Sequence, residues 1–215
     1  MNPLKDNAAQ AVLLIAFGGP ECRRDVRPFL TRVTKGRVPQ ERLEGVACHY
    51  DMFDGKSPVN EVTFAQAEAL QQLLASSPVP MPVYVGMRNW HPLLEDTLKD
   101  MARDGIRYAV GIIMSVFKSR SSWDQYQQEI STALTSTNID LRFAYTPPFF
   151  DQSGFINTMA RHIADCRNEI ADQKQKATDI VFTAHSLPRS DPQSELYQQQ
   201  VTYSAARIAS SLGCS

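Results

Sequence analysis

Cysteine is scarce in this 215-residue chain, with four residues at Cys22, Cys48, Cys166 and Cys214. None stands in a C-x-x-C pair, so a zinc ribbon is not indicated. A chain this large with so few cysteines reads as a protein of the reducing cytosol. An excess of either charge is lacking too. The 22 Lys and Arg residues nearly balance 23 Asp and Glu, for a net charge of -1. That gives no general case for nucleic acid or an acidic membrane surface as partner. No run approaches the roughly 20 apolar residues that span a bilayer, and residues 1–10 lack the apolar core of a signal peptide. G-x-G-x-x-G, the P-loop, G-x-S-x-G and H-E-x-x-H are all missing. So are internal repeats and low-complexity segments. What is present is 43% apolar residues, enough for a sizeable core.

Those apolar residues fall into alternating strands and helices. "AVLLIAF" (11–17) is a continuous apolar run of strand length, ended by Gly18-Gly19-Pro20. Val26, Phe29, Leu30 and Val33 have helical spacing over 24–34, and 62–75 is amphipathic. A short strand lies within 79–86. A helix over 91–105 has Pro92 in its first turn and Gly105 at its stop. Strands at 108–115 and 141–146 alternate with helices at 122–134 and 153–172. "ATDIVFTA" (177–184) predicts a fifth, buried strand, and 194–212 a last helix. Strands apolar throughout are covered on both faces, which favours parallel pairing. The predicted class is α/β with a doubly wound, mostly parallel sheet.

In such sheets ligands bind beyond the carboxyl ends of the strands. Phe-Gly-Gly-Pro (17–20) reads as a tight turn, and its glycines also let a ligand approach the backbone while Phe17 sits at the cleft mouth. Gly-Met-Arg-Asn-Trp-His-Pro (86–92) reads both as a helix start capped by Asn89 and as a polar and aromatic binding cluster. The loop 115–126 mixes hydroxyls, bases and aromatics, which suits a flat, carboxylate-bearing ligand or simply a solvated helix start. His185 closes the predicted strand 177–184, and Pro188 fixes the turn behind it. A core histidine, a general base and a metal ligand all fit that position.

With these segments in view, the chain resembles the ferrochelatase family, which inserts ferrous iron into porphyrins. The matching pieces run in order: "LLIAFGGPE" (13–21), "RPFLTRVTKGRVP" (27–39), "GKSPVNEVTFAQAEAL" (55–70), "VYVGMRNWHPLLEDTLKDMARDGI" (83–106) and "FTAHSLPRS" (182–190). The resemblance implies a two-lobed chelatase fold around a central cleft, here an N-terminal lobe over 1–145 and the start of a second lobe over 146–215. It implies that His185 takes part in metal delivery and accepts pyrrole protons. It implies porphyrin contacts from Ser57 and Tyr126, an aromatic at Phe17 facing the metal centre, and a polar side chain at Asn89 in the opposite wall. Charge alone adds Lys118, Arg120 and Arg37 as partners for propionates.

The same resemblance sets further expectations. The wording is nearest to the coproporphyrin branch, with protoporphyrin as the other candidate ring. That branch often carries a two-iron, two-sulfur cluster, with a cysteine where this chain has Trp123. No such cluster, and no other cofactor, is therefore expected, and Fe(II) enters as substrate. The segment after Pro188 departs from the usual glycine-rich continuation. The carboxylate partner of the histidine is expected beyond Ser215, so the chain reads as the N-terminal part of a ferrochelatase. The rival readings are a porphyrin- or metal-binding module with the same fold, and a chelatase for cobalt or nickel. Expected partners are porphyrin and ferrous iron, without nucleic acid and in the cytoplasm. Peripheral contact with a membrane or another haem-pathway enzyme is left open.

Overall fold

The computed structural model describes residues 8–170, 178–188 and 190–213. They fall into two compact units, Met1–Met114 with Tyr126–Thr146, and Ser115–Gln125 with Pro147–Ser215.

The first unit is built on four parallel strands: β1 (Ala11–Ala16), β2 (Val83–Met87), β3 (Tyr108–Ile113) and β4 (Arg142–Tyr145). Their order is β2-β1-β3-β4. Every residue of β1 is buried, because the strand is central and covered on both faces. Successive side chains point to opposite faces. Val12 and Leu14 pack with Ala67, Leu70 and Leu74 of helix α3 (Val59–Ala75). On the opposite face Leu94, the first residue of α4 (Leu94–Arg103), lies against Gly86 and Leu13. The sheet is thus doubly wound, as the apolar runs predict. Fully burying side chains such as Leu13, Ile15 and Leu98 contributes about 1.5–3 kcal/mol each.

Helix α1 (Arg23–Thr34) buries Val26, Phe29 and Leu30 against Leu43, Ala47 and Tyr50 of α2 (Gln40–Asp51). The sequence reading has no helix at α2. Its apolar positions are only half-buried and Gly45 interrupts them, so the periodic signal is weak. Helix α5 (Gln125–Thr137) buries Tyr126 and Ile130.

The second unit holds a short π-helical turn, Arg120–Asp124, whose Trp123 is buried and donates its indole N–H to the Ser115 carbonyl at 3.0 Å. Helices α6 (Ser153–Asn168) and α7 (Ser194–Ser211) pack through Ile156, Ala160 and Ile208. Ser204 Oγ donates to the Phe150 carbonyl at 2.6 Å.

Two expectations are corrected here. The predicted strand over 177–184 is not a strand: residues 178–188 carry no regular secondary structure, and Val181 is 79% exposed. The β-branched composition is right, but a strand is completed by ladder bonds to a neighbour, and none of the named strands pairs with this segment. Residue 177, and residues 171 and 172 of the predicted helix 153–172, lie outside the described residues. The second correction concerns 91–105. Helix α4 starts at Leu94, so Pro92 precedes it, and Asn89 does not cap it.

Tyr145 of β4 gives a test of the packing. Burial pushes its phenol up to about 12 from 10.0. The folded state therefore holds this proton more tightly than the unfolded chain. The associated stability is complete below pH 10.0 and is lost as pH rises towards about 12. Denaturant titrations of wild type and Tyr145→Phe should give a stability difference that is constant up to about pH 10 and declines above it. A difference that stays flat through that window would contradict the assigned burial.

Candidate functional site

The carboxyl end of β1 is where the strand order reverses, the position at which open α/β sheets place ligands. The chain leaves β1 through Phe17 and Gly18. Gly18 has φ +78°, and a Cβ there would meet the Trp90 backbone nitrogen at 2.9 Å. Only glycine fits both the left-handed backbone and the close approach.

Two asparagines hold this turn. The Phe17 carbonyl accepts from the Asn89 backbone N–H at 3.0 Å and from Asn89 Nδ2 at 3.2 Å. Asn89 thus fixes the turn, in place of the helix-capping role its sequence position suggests. On the other side, Gly19 N–H donates to Asn60 Oδ1 at 2.9 Å, and Asn60 Nδ2 donates back to the Gly19 carbonyl at 2.9 Å. Asn60 Nδ2 also reaches Glu21 Oε1 at 3.1 Å. Ser57 completes the arrangement: its N–H donates to the Pro20 carbonyl at 2.8 Å, and a Cβ on Gly19 would lie 2.6 Å from the Ser57 Cβ.

Phe17 is 43% exposed, an apolar ring left at the surface beside polar groups. Its edge is supported by Phe29, with centroids 6.2 Å apart, and Phe29 in turn meets Trp90 and Tyr50 at 6.2 and 6.1 Å. Three of the sequence-predicted residues, Phe17, Ser57 and Asn89, are therefore gathered on one turn.

Tyr126 lies in the same unit but is buried, with the Arg88 guanidinium carbon 5.4 Å from its ring centroid. Burial raises its pKa well above the ordinary tyrosine range, against the opposing pull of Arg88. Arg88 Nε also pairs with Glu129 Oε2 at 2.9 Å, and Lys35 approaches the other oxygen of that carboxylate at 3.7 Å. Arg37 is exposed on the same unit.

His185 belongs to the second unit and is exposed. With Ala184, Ser186 and Leu187 it lines an open cavity of about 510 Å³. The far wall comes from α7 through Glu195, Tyr197 and Val201. Burial raises the Tyr197 pKa, while the nearby His185 backbone N–H pulls it down. The Tyr197 ring sits against Phe117 at 5.7 Å. Glu195 is a carboxylate on the same cavity as His185, which the sequence reading did not anticipate. Lys118 and Arg120 fall in this unit as well. Lys118 N–H is held by Gln200 Oε1 at 2.8 Å, its ammonium is 4.0 Å from Asp124, and Arg120 is exposed.

The sequence reading also passed over Asn60. It lies inside the quoted "GKSPVNEV", and the available signal was a single amide near a predicted helix start. Its structural weight is visible only once Gly19 is seen beside it.

An exposed aromatic, a hydroxyl-bearing segment and rigid backbone at a strand-order reversal make a surface suited to a flat ligand with polar edges. A sequence profile of the ferrochelatase family matches residues 9–215, and the chain belongs to that family. It is similar to the coproporphyrin III ferrochelatase of Corynebacterium glutamicum (strain R), with 37% identity over 100% of this chain and 61% of the relative. That of Mycolicibacterium smegmatis is 38% identical over 94% of this chain and 61% of its own length. That of Frankia alni is 40% identical over 94% and 53%. The chain thus spans about three-fifths or less of these relatives. No helix among the described residues is long and apolar enough to cross a membrane.

The turn makes a direct prediction. In Gly19→Ala the added methyl meets Ser57 at 2.6 Å and Val59 at 2.9 Å. Overpacking of this kind costs about 1–3 kcal/mol, so the denaturation midpoint should fall accordingly. An unchanged midpoint would mean that the turn and the α3 start are not in the contact described.

Proposed function

We propose that this chain carries the porphyrin-gripping part of an enzyme that inserts ferrous iron into coproporphyrin III in haem biosynthesis. The observation that carries this reading is the convergence of Phe17, Ser57 and Asn89 on one turn at the carboxyl end of β1. The names of the similar proteins support the choice of ring.

The chemistry follows from what insertion demands. A neutral porphyrin loses two pyrrole protons, the iron loses bound water, and four ring nitrogens bind the metal. Phe17 offers an aromatic face to the macrocycle, and the half-buried Ser57 hydroxyl offers a polar contact at its edge, while the buried Asn89 holds the turn through the Phe17 carbonyl. Imidazoles accept protons and bind metals, and His185 is assigned both tasks. Arg37, Lys118 and Arg120 are assigned to carboxylate side chains of the ring. Tyr126 is assigned the role of supporting that surface from beneath Arg88. The domain division proposed from sequence puts the ring-gripping residues in the lobe 1–145 and His185 in 146–215. The reaction needs no cofactor and no iron–sulfur cluster on this reading, and it takes place in the cytoplasm.

Titration of the chain with coproporphyrin III should shift the Soret band, and Phe17→Ala should weaken binding about tenfold, the equivalent of 1.4 kcal/mol. Metal insertion is followed separately with ferrous iron under anaerobic conditions. His185→Ala should abolish insertion while leaving ring affinity within about twofold. Equal turnover in that variant would remove His185 from the reaction. Ring binding without insertion in the wild-type chain would favour the binding-module reading.

A further inference from the structure

Asn60 has no task in the chemistry just described, yet it is 3% exposed in the first turn of α3. A buried amide is costly unless its partners are held in place. Here both of its polar atoms are bound to the backbone of Gly19, one to its N–H and one to its carbonyl, and a further bond goes to Glu21. An amide that grips both backbone groups of one residue fixes distance and orientation together. It joins the Phe17–Pro20 turn to the start of α3, 41 residues away, and Ser57 sits at that junction.

We infer that Asn60 is a positioning residue for porphyrin binding. It holds the Ser57 hydroxyl and the Phe17 ring at a fixed separation, so that both meet one ligand, and it does not touch the ligand itself. Asn89 secures the Phe17 side of the turn and Asn60 the Gly19 side, with Gly18 between them. Without Asn60, Ser57 keeps only its backbone bond to the Pro20 carbonyl as a hydrogen bond to the turn, and its contribution to ring binding is no longer coupled to that of Phe17. This inference rests on the function proposed above.

The test is a double-mutant cycle on the 215-residue chain, with coproporphyrin III as probe and the Soret band as readout. Asn60→Ala should weaken binding about tenfold, in line with loss of about 1.4 kcal/mol of fixed hydrogen bonding. Ser57→Ala should weaken binding in the wild-type background and have no further effect alongside Asn60→Ala. The isosteric Asn60→Asp supplies a second arm where the alanine variant does not fold. The introduced carboxyl is buried beside Glu21, so its pKa is raised. The other charges on this side are Asp25, which accepts the Glu21 N–H, and Lys56, which is paired with Glu61. Ionised, the carboxyl cannot donate to the Gly19 carbonyl; protonated, it can. Affinity relative to wild type should therefore recover as pH falls from about 8 towards 5. Wild-type affinity in both variants, or losses from Asn60→Ala and Ser57→Ala that simply multiply, would overturn the inference alone. A wild-type chain that binds no coproporphyrin III would overturn the proposed function, and the inference with it.

Discussion

The pair of hydrogen bonds between the Asn60 amide and the backbone N–H and carbonyl of Gly19 is the constraint on which the candidate site depends. The β1 strand delivers the chain to the carboxyl end of the sheet with all six residues buried, but burial of the strand does not fix what the next four residues do. Those residues carry unpaired peptide groups that must find partners. Asn60 and Asn89 provide them from two distant segments, one in the first turn of α3 and one after β2. A single turn is thereby tied to α3, which packs on one face of β1, and to the end of β2, its neighbour in the sheet. Phe17 can be left partly exposed because its backbone is held from both sides and its ring is backed by Phe29, which in turn meets Trp90.

A second layer of support is electrostatic. Arg88 follows β2 directly and lies between Glu129 and the ring of the buried Tyr126. An arginine placed between a carboxylate and an aromatic face satisfies its charge and its planar surface at once. Lys35 adds a weaker contact to the same carboxylate. These residues tie the C-terminal end of α1, the β2 end and α5 together.

The parts of this account that were legible in the sequence are those set by short-range pattern. The apolar run at β1, its Gly-Gly-Pro stop and the amphipathic helices predicted a doubly wound parallel sheet, and the quoted motifs carried the family resemblance that the profile match bears out. Helix α2 was missed because it packs through half-buried positions on α1 rather than through a continuous apolar face. The segment before His185 was misread for the opposite reason. Its β-branched residues form a strong strand pattern, but a strand requires a partner, and sequence pattern does not supply one. Asn89 fits a helix cap and a binding cluster in local sequence, whereas the partner of its side chain is Phe17, 72 residues away. Asn60 was invisible for the same reason: a long-range amide–peptide pair leaves no periodic trace.

The most direct test of the central claim is an amide-resolved NMR titration of the chain with coproporphyrin III. A porphyrin produces large ring-current shifts in nearby nuclei, so the contact surface is read without relying on turnover. The largest shifts should fall on the amides of Phe17, Gly18, Gly19, Ser57 and Asn89, as one connected patch. Shifts confined to other surfaces, with those five amides unmoved, would contradict it.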